Sequence, residues 1–313
     1  MILFGSIDPC EGFTERAISM SFVLSCCSAA DLPQSYLDRR DIHYISFRYQ
    51  LGGKEYADDL GKTIPYKDFY AAMVRGAETR TSRLNVGEYE AYFEGFLKEG
   101  QDVLHLVLSS GITSSFESAV DAQKHLQEKY PERKLIVIDS LAASGGFGLL
   151  TILAADRRDE GLSIEETAAW VEANKLRIHH WFFSTDLTFY IRGGRVGKVS
   201  GFMGQLLNIC PLLNVDYQGR LIPREKIRTK RKAIRVTEEH MEQYAEDRLD
   251  YSGKCIISHS DCPEDARALA DLVEARFPKL DGPVMITDIG STIGAHSGPG
   301  TVALFFVGDV RAD

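Results

Sequence analysis

Two short apolar runs and the segment between them constrain this chain more than anything else in it. "VLHLVLSS" (103–110) and "LIVIDS" (135–140) are short, continuous and rich in β-branched residues, so each reads as a buried strand. Between them lies "SFESAVDAQKHLQEKY", with Phe116, Val120 and Leu126 near helical spacing and Pro131 as a stop. Strand, helix, strand at this separation is a βαβ unit, and it implies a parallel sheet covered by helices. "FVLSCC" and "HYISFRYQL" upstream read as further buried strands of the same first half.

Downstream the pattern changes. "LAASGGFGLLTILAADRRDEG" reads as a strongly apolar helix ending at Gly161, and "SIEETAAWVEANKLR" as a helix with Ser163 as N-cap and an acidic first turn. Then "IHHWFFSTDLTFYIRGG", "CPLLNVDYQGRLIPREK", "KCIISHSD" and "TVALFFVG" read as strands, with "DYQGR" and "DIGSTIGAHSGPG" as turns. The expectation is an α/β protein of two domains: an N-terminal parallel sheet flanked by helices over residues 21–174, and an α+β domain with a mixed or antiparallel sheet over 175–313. Residues 1–20 read as an extension ahead of the first domain. Their apolar stretch is interrupted by Asp8, Glu11, Glu15 and Arg16 and lacks the basic start of a signal peptide.

A net charge of −9 argues against a duplex nucleic-acid binder, which needs cations to neutralise phosphates. The six cysteines form no C-x-x-C pair and read as the reduced thiols of a cytoplasmic protein. No uninterrupted apolar run reaches the length of a membrane span. The basic run "REKIRTKRKAIR" (224–235) reads either as a solvated face or as a docking surface for an acidic partner.

Four stretches could carry chemistry. "LSSGITSSFESA" (108–119) ends a strand and opens a helix, and the hydroxyls of Ser110, Thr113, Ser114 and Ser115 beside free N–H groups suit an anion. Simple N-capping by one of them is the alternative, although ligands of open α/β sheets do bind at strand C-termini. "RTSRLN" offers Thr81 and Ser82, which on their own read as the cap of the following helix "VGEYEAYFEGFLKEG". "YIRGGRVGK" places Arg192, Arg195 and Lys198 around two glycines, either as a solvated turn or with Arg195 as a fork for a carboxylate or phosphate. "IGAHSGPGTVALFFVG" (293–308) sets His296 among Gly, Ser and Pro. Its loose match to a dinucleotide-binding glycine pattern fails because a strand, not a helix, follows. A nucleophile elbow, a P-loop and a zinc signature are all missing, and adjacent His179 and His180 would face opposite sides of a strand.

In order and approximate spacing, "SAADLP", "TSRLN", "LSSGITSSFESA", "IDSLAASGGFG", "YIRGGRVGK", "GFMGQLLNICPLL" and "GAHSGPGTVAL" resemble the DegV family. That family includes the fatty-acid-binding FakB subunits of bacterial fatty acid kinase. The resemblance implies a long-chain fatty acid, such as palmitate or oleate, held between two domains, with no cofactor and an ATP-dependent fatty acid kinase as partner. It implies that Thr81 and Thr113 hold the carboxylate, with Ser82, Ser110 and Ser114 around it. Arg195 and His296 are implied to lie near it and to serve the kinase step. Two positions depart from the pattern: Cys27 stands where an Asp is usual, and Ser114 where a Gly is usual, which narrows the loop beside the headgroup.

These residue types suit that role. Each buried methylene contributes about 0.8 kcal/mol, so an apolar tunnel supplies most of the affinity. Stretches such as "FGLLTILAA" and "FMGQLLNICPLL" are candidate walls, though core packing is the commoner use of such sequences. The hydroxyls donate to the carboxylate, and Arg195 with a protonatable His296 supplies positive charge. A serine hydrolase or acyltransferase using Ser110 or Ser115 with His296 is the competing expectation. A binding module for a small phosphorylated metabolite is the third.

Overall fold

The computed structural model describes residues 22–196 and 209–312. The extension, Cys10, Lys198 and the 202–208 part of the expected tunnel wall lie outside the described residues. Strand β1 (Val23–Cys27) is buried along its whole length. Helix α1 (Gln34–Arg39) returns the chain to β2 (Ile42–Ile45), parallel to β1. The run "HYISFRYQL", expected as one strand, breaks here. Phe47 donates its N–H to Ser28 Oγ (3.1 Å) instead of to a neighbouring strand. The chain then enters an antiparallel sheet of β3 (Arg48–Leu51), β4 (Lys54–Ala57) and β5 (Thr79–Ser82), in the order β4-β3-β5, with α2 (Tyr66–Val74) between β4 and β5.

Helix α3 (Val86–Lys98) is capped by Asn85, in a reciprocal box with Glu88, and not by Thr81 or Ser82. Those two hydroxyls sit upstream on β5 and take no part in that cap. Next come β6 (Val103–Val107), α4 (Ser115–Lys129) and β7 (Leu135–Asp139), the βαβ unit legible in the sequence. They complete a four-stranded, all-parallel sheet in the order β2-β1-β6-β7. The buried face of α4 is carried by Ser118, Ala119, Ala122 and Leu126, while Phe116 and Val120 lie at its margin. Small residues there let the helix sit close to the sheet.

Helix α5 (Ser144–Asp159) is buried on nearly every side, as an all-round apolar helix must be. It packs between β1 of the parallel sheet and the strands of the second sheet. A side chain at Gly146 would collide with the His180 ring, so glycine is what permits this approach. Helix α6 (Ile164–Asn174) begins with the expected Ser163 cap, completed by Glu166.

The second domain is built on β8 (Ile178–Ser184), β9 (Ile209–Val215), β10 (Leu221–Arg228), β11 (Ile256–His259), β12 (Met285–Asp288) and β13 (Thr301–Val307). They form one mixed sheet ordered β10-β9-β8-β13-β11-β12, in which only β11 and β12 pair in parallel. Helices α8 (Lys230–Tyr244) and α9 (Pro263–Arg276) pack on its outer face.

Two segments differ from expectation. "IHHWFFSTDLTFYIRGG" is a strand only to Ser184. There Ser184 Oγ closes a turn with Asp186, Asp186 accepts from the Thr188 N–H (2.8 Å), and α7 (Thr188–Gly193) follows. "DIGSTIGAHSGPG" is not only a turn, since it holds helix α10 (Ser291–Ser297).

Candidate functional site

The start of α10 is tied down by carboxylates from the other domain. The Gly290 N–H donates to Asp31 Oδ1 (2.9 Å) and the Thr292 N–H to Asp58 Oδ2 (3.1 Å). Ser144 Oγ, at the start of α5, donates to Asp31 Oδ2 (2.5 Å), and Ser28 Oγ donates to Asp58 Oδ2 (3.2 Å). Burial pushes both carboxyls above the usual range, against these donors. The pair thus fixes α10, with His296 near its far end, against the first domain.

Beside α10 a cavity of about 520 Å³ opens between the C-terminal ends of the parallel strands and the inner face of the mixed sheet. This is the size of an ordinary small-molecule site, in the place where α/β sheets bind ligands. One end is polar. There β5 supplies Thr81 and Ser82, the loop between β6 and α4 supplies Thr113 and Ser114, and Arg195 and His296 arrive from the second domain. The other end is lined by apolar side chains such as Leu108, Phe182, Ala303 and Phe305, together with one histidine, His180.

His296 Nε2 lies 2.7 Å from Thr81 Oγ1, so the two domains meet in a hydrogen bond at the polar end. Gly193 packs so closely on this ring that a Cβ there would lie 2.6 Å from Nδ1, and that nitrogen is buried without a partner among the described residues. Burial, and then the nearby Arg195, push the imidazole down to about 4. His296 is therefore neutral at neutral pH, and the positive charge expected of it comes instead from arginine. Arg195 donates one Nη to the Gly193 carbonyl (2.6 Å) and is otherwise exposed at the rim.

A second arginine, Arg83, was not singled out by the sequence. It lines the cavity and donates from Nη1 to Ser114 Oγ (2.9 Å), so Ser114 holds a guanidinium at the mouth. Its only advance signal was its place beside Thr81 and Ser82. Thr113 lines the cavity and also accepts from the Ser115 N–H (3.2 Å), while Ser114 makes no capping bond. Ser110 is not on the cavity wall, and its N–H donates to Asp139 Oδ1 (3.1 Å). Ser115 is buried behind Thr113, with the two hydroxyl oxygens 3.1 Å apart. Among the described residues no hydrogen bond joins Ser110 or Ser115 to His296, so no nucleophile–base pair is assembled there.

Other expectations resolve in the same way. Gly298 and Gly300 take φ of +68° and +81°, which only glycine adopts freely. The groups they approach closely are Phe189 and Thr185, so the turn is shaped by packing within the domain. None of the expected wall "FGLLTILAA" (147–155) lines the cavity, because it is packed into the core along α5, and only Ala143 and Ser144 ahead of it reach the wall. Cys27 is buried in β1, its thiol pushed up to about 12 by burial, and it is not on the wall. In the basic run, Lys230 pairs with Asp265 (2.8 Å) and Arg235 with Glu239 (3.3 Å), while Arg228, Arg231 and Lys232 are exposed.

Electrostatically the cavity is one-sided. Arg83 and Arg195 line it, and among the described residues no Asp or Glu does, in a chain of net charge −9. Such a site takes an anionic group attached to an apolar body. Among the described residues no cluster of His, Cys, Asp and Glu could hold a metal ion, and no helix is long and apolar enough to cross a membrane.

Comparison with known proteins agrees with this architecture. A DegV domain-containing protein of Clostridium perfringens is 34% identical over 290 residues, covering 93% of this chain and 98% of the relative. A DegV family protein of Thermus thermophilus, described by its fatty acid binding, superposes with a TM-score of 0.82 at 26% identity, covering 92% of this chain and 99% of that one. The fatty acid kinase B3 protein of Streptococcus pneumoniae, loaded with linoleic acid, shares the fold with a TM-score of 0.79 at 20% identity, over 92% and 100% of the two chains. The family model for DegV, whose members it describes as uncharacterised, matches residues 27–309. With that match over most of its length, the chain belongs to the DegV family.

Proposed function

We propose that this protein binds a long-chain fatty acid, its carboxylate at the polar end of the cavity and its acyl chain along the apolar part. The observation that carries this reading is a cavity with no Asp or Glu among its described lining residues, with hydroxyls and two arginines at one end and apolar side chains at the other. Thr81 and Thr113 donate to the carboxylate, Ser82 and Ser114 border it, and Arg195 and Arg83 offset its charge. A neutral His296 with one unpartnered nitrogen completes the set. The fatty acid binding described for the Thermus thermophilus protein supports the assignment.

In this reading the protein is a non-catalytic cytoplasmic carrier. It presents the carboxylate at the rim to an ATP-dependent fatty acid kinase. A carboxylate oxygen attacks the γ-phosphorus of ATP, ADP leaves, and an acyl phosphate forms. Arg195 sits where that transfer would take place.

Calorimetric titration of delipidated protein with oleate tests the binding. Thr113→Val keeps the side-chain shape and removes a donor, so affinity should fall roughly tenfold with an unchanged circular dichroism spectrum. Unchanged affinity would remove Thr113 from the site, and no uptake by the unaltered protein would overturn the reading.

A further inference from the structure

The pairing of β8 with β13 gives the cavity a measurable axis. Three consecutive inward-facing rows are Ser184–Thr301, Phe182–Ala303 and His180–Phe305, and the next is Ile178–Val307. Thr301, Phe182, Ala303, His180 and Phe305 line the cavity, but Ile178 and Val307 do not. Thr301 lies at the polar end, since Tyr190 Oη is 3.2 Å from its hydroxyl and it closely follows His296 in the chain. At about 3.3 Å per strand residue, the His180 row lies roughly 13 Å further in. Along β8 and β13, His180 and Phe305 are the last side chains of the cavity, and Val215 and Leu221 on the neighbouring strands line it beside them.

His180 is held more firmly than a wall residue needs to be. Its Nδ1–H donates to the Ile178 carbonyl (2.9 Å), and its Nε2 accepts from the Ala143 N–H (3.2 Å). That assignment makes the ring neutral and leaves no nitrogen for a ligand. Phe305 meets the ring edge-on at 5.2 Å, and Gly146 of α5 closes in behind it, where any side chain would collide. The imidazole can neither rotate nor retreat without breaking a backbone hydrogen bond or moving α5.

We propose that His180 is the depth stop of this cavity and sets the longest acyl chain the protein accepts. The proposal rests on the fatty-acid reading of the site and assigns its length limit to one residue. Because the stop is rigid, a chain one step too long cannot be absorbed by rearrangement at this end, and the limit is sharp.

The test is a series of saturated fatty acids of increasing length titrated into delipidated protein and into His180→Ala. For the unaltered protein, affinity should rise roughly fourfold per added methylene up to a limit and then fall. In the variant the limit should move to longer chains, and the first length previously rejected should bind roughly tenfold tighter. Phe305→Leu, which opens the same row and leaves both backbone hydrogen bonds in place, gives the same readout should the alanine variant fail to fold. An unmoved limit in a folded variant overturns the proposal while the fatty-acid reading stands. Failure of the unaltered protein to bind any length overturns the reading itself.

Discussion

The two faces of the mixed sheet are made by the same strands and do opposite things. On the outer face, Trp181, Phe183, Leu304 and Phe306 are packed under α8 and α9 in a closed apolar cluster. On the inner face, the intervening residues His180, Phe182, Thr301 and Ala303 border the cavity. The adjacent histidines mark the difference. His179 stacks on Phe306 (5.2 Å) and donates to the Asp309 carbonyl (2.8 Å), so it is a satisfied core residue. His180, one residue on, lines the cavity. Alternation along a strand thus lets one pair of strands close a core on one side and border the cavity on the other.

That division can be broken most forcefully on the outer face. Phe306→Ala should destabilise the protein by about 3–5 kcal/mol, read as a lower midpoint in urea, while any protein still folded keeps its affinity for oleate. A parallel loss of affinity would show that the faces are not independent. The converse change is Ala303→Phe, which fills the middle row of the cavity. It should weaken binding of a long-chain fatty acid roughly a hundredfold and change the unfolding midpoint far less than Phe306→Ala does. Equal effects on stability would contradict the comparison.

A smaller effect concerns pH. Burial pushes His105, under the parallel sheet, down to about 3, and His179, on the outer face, down to about 4. Below the ordinary histidine value of about 6.5, the unfolded chain takes up protons that the folded protein refuses. Stability is therefore complete above that value and is lost as the pH falls toward the folded values. The raised carboxyls of Asp31 and Asp58 act in the opposite sense, since their protonation on acidification relieves a burial cost. They offset the histidine effect without involving the outer face. The melting temperature should be a few degrees lower near about pH 5 than near about pH 7, and His179→Gln should flatten part of that slope. A slope untouched by the substitution would detach His179 from it.

What could be read from the sequence was local. The βαβ unit, the Ser163 cap and the buried helix α5 each announce themselves within one continuous stretch of chain, through runs and caps that need no distant partner. Helix α10 was hidden because Asp31 and Asp58, from the far end of the chain, satisfy its first N–H groups. The strand-like reading of "TFYIRG" failed because the turn at Ser184 and Asp186 is set by side-chain bonds that β-propensity does not register. Thr81 and Ser82 looked like caps because a hydroxyl before a helix looks the same whether or not it is used, and only Asn85 with Glu88 settles it. Arg83 and His180 carried no pattern of their own. Their roles come from Ser114 on one side and from Ala143 and Phe305 on the other, which only the fold brings within reach.

The most direct test of the central claim is a native mass spectrum of the protein purified from a bacterial host, followed by lipid extraction. The account predicts a folded species heavier than the bare chain by one long-chain fatty acid, released on denaturation and identified in the extract. A spectrum of bare chain alone, unchanged after incubation with fatty acids of every available length, would contradict it.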